Sequence, residues 1–244
     1  MKKIYLIIII SMIFGLNCYA ESKSNPASYF EYEKFEPRRS RPEYGMYDEE
    51  IKITGYVGLS ETVVIPEIID GCPVTVIGEE AFANDNSIKS ITIPSTVYKI
   101  EKKAFFYCTN LTEAYLSLAP IASIQGHFYF LKGYPAVVEG AFCGCTSLKT
   151  VIIESGISLN MDLGVFNNCP KLESIVLPKN INIVKPSARA DDYSSWLFYG
   201  CNKLKVINYR GDKGDNSSLF SEDNRDFQNA IKRGLVVNYN YIGE

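Results

Sequence analysis

Histidine and tryptophan are nearly missing from this chain: His127 and Trp196 are the single examples among 244 residues. A catalytic triad or a multi-imidazole metal site would depend on His127 alone, since each needs imidazole at a defined place. That histidine opens the aromatic run His127-Phe128-Tyr129-Phe130, which reads as loop. An excess of basic charge is also missing. The formal net charge is −3, whereas a protein that binds by neutralising phosphates needs a concentrated basic face. Nucleic acid is therefore not an expected partner. The glycine-rich phosphate loops, the G-x-S-x-G elbow and H-E-x-x-H do not occur. Carboxylates are plentiful, but no pattern makes them converge. The expectation is a protein without catalytic residues, metal or cofactor.

Long apolar runs are limited to Ile4–Phe14, which follows Lys2 and Lys3 and is too short to span a bilayer. With the small residues after it, this run reads as a secretory signal over 1–20, cleaved after Ala20. Leu16-Asn17-Cys18 offers an alternative, a lipoprotein box in which Cys18 is lipidated and holds the mature chain at a membrane. Either way the chain is expected to be exported, as a secreted, periplasmic or surface protein.

A repeat dominates what is present. Ala81-Phe82, Ala104-Phe105 and Ala141-Phe142 continue as Val165-Phe166 and Leu197-Phe198, with the Phe positions 23, 37, 24 and 32 residues apart. The two long intervals equal the short one plus insertions of 14 and 9 residues, so the unit is 23–24 residues, a leucine-rich-repeat period. After each Phe comes an aliphatic residue and then apolar-x-apolar, as in Ile88-x-x-Ile91-x-Ile93 and Leu148-x-x-Val151-x-Ile153. That alternation is strand-like, and Pro94 and Pro178 mark strand ends because proline cannot donate to a ladder. One unit cannot bury its own apolar interior. Stacked at the ~4.8 Å strand spacing, the units make one core and one parallel sheet, with a more irregular return on the opposite side.

The stretch Val97–Leu111, V-x-x-I-x-x-x-A-F-x-x-C-x-x-L, and the lead-in Ile53–Phe82 resemble the BspA-like class of bacterial leucine-rich-repeat proteins, over about residues 51–210. The resemblance implies a right-handed curved solenoid and export to the cell surface or medium. It also implies adhesion to host or neighbouring-cell proteins, with no enzyme activity in the repeats. The fold expected is thus an α/β solenoid, mostly β, of about five to six coils, with the parallel sheet on the concave face and a cap at each end. Residues 21–50 read as a tether, 51–210 as the solenoid including an N-terminal cap hairpin, and 211–244 as a C-terminal cap of helix (Ser221–Arg233) plus strand (Leu235–Tyr241).

Of seven cysteines, Cys108, Cys145, Cys169 and Cys201 each fall three residues after their unit's Phe, and Asp85 takes that slot in the first unit. They read as a reduced, buried column beside Phe82, Phe105, Phe142, Phe166 and Phe198. Disulfides are the alternative, since exported chains form them.

Strand positions that alternate with buried ones face outward in columns. The central column is Thr92, Tyr115, Ile152, Val176 and Asn208. Tyr115, Ile152 and Val176 are expected as an exposed apolar patch that contacts a protein partner, with Phe128 and Tyr129 of the first insertion as further anchors, unless that insertion packs over the patch. Arg210-Gly211-Asp212 spells an integrin-type tripeptide but reads first as the turn closing the last unit. The leading expectation is a protein-binding module, with a self-associating envelope protein as the alternative and an enzyme centred on His127 as a third reading.

Overall fold

The computed structural model describes residues 24–37, 48–118, 136–137, 140–155, 159–162, 164–179, 181–184, 198–213, 220 and 225–242. The expectations for the signal segment, Cys18, the aromatic run 127–130 and Trp196 lie outside these residues.

The described strands are β1 (Phe30–Phe35), β2 (Glu50–Tyr56), β3 (Thr62–Val64), β4 (Ile68–Ile69), β5 (Cys72–Ile77), β6 (Ser90–Ile93), β7 (Lys99–Ile100) and β8 (Glu113–Leu118). They continue with β9 (Ala136–Val137), β10 (Thr150–Ser155), β11 (Leu159–Asp162), β12 (Ser174–Leu177), β13 (Ile181–Val184) and β14 (Val206–Tyr209). Helix α1 (Arg225–Lys232) and β15 (Val236–Asn238) end the series. From β5 to β14 the chain alternates between two sheets. One, here the front sheet, runs β3-β6-β8-β10-β12-β14-β15, every neighbouring pair parallel. The back sheet runs β2-β5-β7-β9-β11-β13, also parallel. The return side is therefore a second sheet, where the sequence pattern led us to expect an irregular path. Its strands are as short as two residues, too short to carry a visible alternation, yet each finds a neighbour in register one unit away.

Inward residues of the front strands (Ile91, Ile93, Ala114, Leu116, Val151, Ile153, Ile175, Leu177, Ile207) form one continuous core with Ile51, Ile53, Val74, Ile77 and Ile100 from the back. The Ala-Phe turn joins each back strand to the next front strand. Phe82, Phe105, Phe142, Phe166 and Phe198 stack in it with ring centroids 4.8–6.0 Å apart and planes within 20°. Tyr56 extends the stack at 5.8 Å from Phe82. Chain insertions do not interrupt this core. After Leu118 the chain rejoins at β9, which pairs with β7 on one side and β11 on the other.

Two expectations about the first end are corrected. Residues 24–37 are not a tether: Ala27–Tyr29 forms a 3-10 turn, and β1 pairs antiparallel with β2, covering the edge of the back sheet. Alternation in Phe30-Glu31-Tyr32 allows this, since Phe30 is buried in the core while Glu31 is exposed. The lead-in is not a cap hairpin over 51–77, because β2 pairs parallel with β5 and β3 parallel with β6. Only the short β4–β5 contact is antiparallel, turning through Asp70 and Gly71, both at positive φ. At the far end α1 is followed by β15, which joins β14 in parallel and so prolongs the front sheet.

Candidate functional site

Register fixes the outward face of the front sheet. Val64, Thr92, Tyr115, Ile152, Val176, Asn208 and Asn238 are consecutive partners across seven strands. Thr62, Ser90, Glu113, Thr150, Ser174, Val206 and Val236 form the column beside them. The structure therefore brings together the five central residues that the spacing aligned. It departs on exposure: Ile152 and Val176 are each only 8% exposed. β-branched side chains about 4.8 Å apart on a parallel sheet shield one another on both flanks. The expected exposed apolar patch is thus a closed, smooth strip, with Tyr115, Thr92 and Asn208 partly open around it.

Polar groups border the strip. The Tyr115 hydroxyl donates to Glu113 Oε2 at 3.2 Å. Burial and the Glu113 charge push its pKa up to about 12, so it stays a neutral donor. At the other end Asn238 Nδ2 donates to Asn208 Oδ1 at 2.7 Å. A further column was not anticipated: Arg210 reaches Glu154 at 2.9 Å, two strands away across the buried Pro178. Reading two positions past the central column, to Glu154, Pro178 and Arg210, would have exposed this pair. It also bears on Arg210-Gly211-Asp212. The Arg210 guanidinium is engaged, its backbone N–H donates to Leu177 O at 3.1 Å, and buried Gly211 accepts from Asn240 N at 2.9 Å. The tripeptide is built into the end of the sheet.

The phenylalanine and cysteine positions come together inside. Cys108, Cys145, Cys169 and Cys201 donate their thiols to the carbonyls of Phe82, Phe105, Phe142 and Phe166, each one unit back, at 2.9–3.2 Å. All four are buried, and the six described cysteines are free thiols. Burial pushes the Cys108 thiol up to about 12 and raises Cys145 well above the ordinary thiol range. Cys169 is raised too, first by its contact with Cys201 and then by burial. Such thiols pack and donate; they are not nucleophiles. Cys72, without a role in the sequence reading, lies 3.6 Å from Glu49 Oε2. Among the described residues no three metal-ligating side chains gather.

The back sheet's outer face is different in character. Lys52 pairs with Glu33 at 2.9 Å and Glu101 at 3.7 Å, and Lys99 with Glu101 at 2.7 Å. Below them Glu50 is buried with two hydroxyls, accepting from Thr75 Oγ1 at 2.7 Å and from Tyr98.

With this arrangement the chain falls into a known class. The model of the BspA type leucine rich repeat region matches residues 75–131 and 128–212 in six copies, and the chain belongs to that family. Among solved structures it is similar to a leucine rich repeat protein of T. pallidum, at 26% identity and a TM-score of 0.54, over 76% of this chain and 71% of that one. A leucine rich cell surface protein of Faecalibacterium prausnitzii A2-165 aligns at 24% identity and a TM-score of 0.46, over 75% of this chain and 38% of that one. No curated protein sequence matches it. The family is one of protein-interaction modules, not of enzymes.

Proposed function

We propose that this protein is exported and binds a protein partner at the bacterial surface or in the medium, through the outward face of the front sheet. The partner we favour is a host or neighbouring-cell protein, and the front sheet is the concave side of the solenoid. One observation carries the assignment of the face: the seven in-register residues from Val64 to Asn238 include no charged side chain. The back face, by contrast, carries the Glu33, Lys52, Lys99 and Glu101 ion pairs. Interface centres are poor in charge, because every desolvated ion must be repaid by a partner. Phe128 and Tyr129, which lie outside the described residues, remain candidate anchors for the same partner. The test is binding of purified residues 21–244 to immobilised extracellular-matrix and plasma proteins. Saturable binding that Tyr115→Ala weakens in a folded protein supports the reading; absence of binding to every host protein counts against it.

A second reading is self-association in the envelope, and the distribution of exposed apolar side chains favours it. Leu59, 93% exposed, and Ile68 stand on the first turns, and Val236 and Ile242, 88% exposed, on the last. Repeat proteins ordinarily cover their ends with polar surface, so apolar ends fit end-to-end contact between copies. Sedimentation that shows concentration-dependent oligomers, without host-protein binding, would favour this reading over the first.

A further inference from the structure

We propose that the turn edge of the repeat carries a carbohydrate-binding platform centred on Tyr107. Two residues after each stacked Phe the backbone enters the left-handed region: Asn84 at φ 61°, Tyr107 at 56°, Gly144 at 78°, Asn168 at 57° and Gly200 at 79°. The conformation is held because the N–H there donates to the neighbouring turn: Asn84 to Phe106 O at 2.8 Å, Tyr107 to Cys143 O at 2.9 Å, Asn168 to Tyr199 O at 2.7 Å. Glycine and asparagine suit that backbone, and four of the five positions have one or the other. Tyrosine does not suit it. A bulky aromatic kept at a strained, exposed position calls for a use outside folding.

The geometry around the ring gives that use a chemistry. A methyl placed on Gly144 would stand 2.7, 2.8 and 3.0 Å from Cδ2, Cε2 and Cγ of Tyr107. Three adjacent ring atoms at nearly equal distances put that point beneath the ring face, not at its edge. The ring therefore lies flat on the Gly144 backbone, and its 44% exposure belongs largely to the opposite face. Phe106 stands beside it, 4.5 Å between centroids and tilted by 59°. Exposed Asn84 and Asn168 occupy the same column one unit back and two units on, each with a carboxamide that can both donate and accept. Lys103, paired with Glu80 at 3.6 Å, adds a donor and an acceptor near Phe106.

An open aromatic face bordered by amides and an ion pair fits a pyranose ring. The sugar's axial C–H bonds meet the electron-rich face, and its equatorial hydroxyls meet the polar border. A protein hot spot needs an apolar, water-excluding surround that this edge lacks. Tyr199, 45% exposed on the same edge three units further on, offers a second ring to a longer chain. The ligand class is thus a polysaccharide or oligosaccharide of hexopyranose units.

Affinity electrophoresis and calorimetry with soluble β-1,4-linked glucose and N-acetylglucosamine oligosaccharides and with α-mannan test this. The informative variant is Tyr107→Asn, which installs the residue found at Asn84 and Asn168 and so keeps the fold. We expect binding of at least one glycan by the wild-type chain, a tenfold or greater loss in Tyr107→Asn, and a melting temperature equal to or above wild type. No binding to any probe overturns the proposal, as does glycan binding that Tyr107→Asn leaves intact. Loss of a protein partner in that variant, with no glycan binding in wild type, overturns it in favour of a peptide contact.

Discussion

Phe105 lies 4.9 Å from Phe82 and 4.8 Å from Phe142 and is fully buried, so its ring supports both neighbouring units. Phe105→Ala would leave a cavity that two stacked rings cannot close, and should cost about 3–5 kcal/mol in a denaturant titration. The thiol column makes a different prediction. Cys108, Cys145, Cys169 and Cys201 are buried donors; burial raises the first two, and the contact with Cys201 followed by burial raises Cys169, whereas Cys143 is partly open. Of the thiols after residue 100, an aromatic disulfide reagent should label Cys143 first in the native protein and the other four only on unfolding. Rapid native labelling of all five would contradict this packing. These residues were legible in the sequence because the repeat forces strict spacing: a Phe and a Cys that must meet their counterparts about 4.8 Å away cannot drift along the chain. The exposure of Ile152 and Val176 was not legible, because it depends on neighbours in adjacent strands, and residue spacing reports direction but not shielding. Tyr107 was missed for a related reason. Its strain is visible only when the asparagines and glycines at the same place in other units are read as a left-handed column.

At the level of elements, the front strands announced themselves through apolar-x-apolar alternation, and the back strands did not. Lys99–Ile100 and Ala136–Val137 are two residues each, so nothing local distinguishes them from loop. Only the pairing of β7 with β5 and β9 establishes them. The edge strand β1 did carry a signal in Phe30-Glu31-Tyr32, but three alternating residues are too few to mark a strand by themselves. Where β2, β5 and the turn before β7 meet, Glu50 sits buried against Thr75 and Tyr98. Burial raises the Glu50 carboxyl above its ordinary value, outweighing the two hydroxyl hydrogen bonds that favour the charged form. In the pH window between the ordinary and the raised value, the folded chain holds a proton that the unfolded chain releases, so stability falls as pH rises through it. Glu101 works in the opposite sense: the Lys99 and Lys52 charges and the Glu79 N–H overcome its own burial and lower it. The comparison of Glu50→Gln with wild type isolates the first effect. Glu50→Gln should melt higher than wild type at pH above that window, with the difference shrinking as pH falls through it. A difference constant with pH would show that Glu50 does not titrate in this way.

For the molecule as a whole, two sheets packed around one apolar core present two unlike outer faces. The front face is a smooth strip of small, β-branched and amide side chains around Tyr115; the back face is ion-paired. Charge distribution, more than shape, is what supports our proposal that the front is the side for a protein partner. The repeat was readable from its 23–24-residue spacing, and the family resemblance from Val97–Leu111 and the lead-in Ile53–Phe82, but the partner was not, because a binding surface needs only compatible chemistry and leaves no periodic trace. The most direct measurement is a paired arginine scan on a bound host or neighbouring-cell protein, with Thr92→Arg and Thr150→Arg on the front sheet and Thr54→Arg on the back. All three side chains face outward, so each variant should fold and melt within a few degrees of wild type. The account predicts that both front variants lose at least tenfold in affinity while Thr54→Arg binds as wild type. Equal binding by all four proteins, or loss confined to Thr54→Arg, would contradict it.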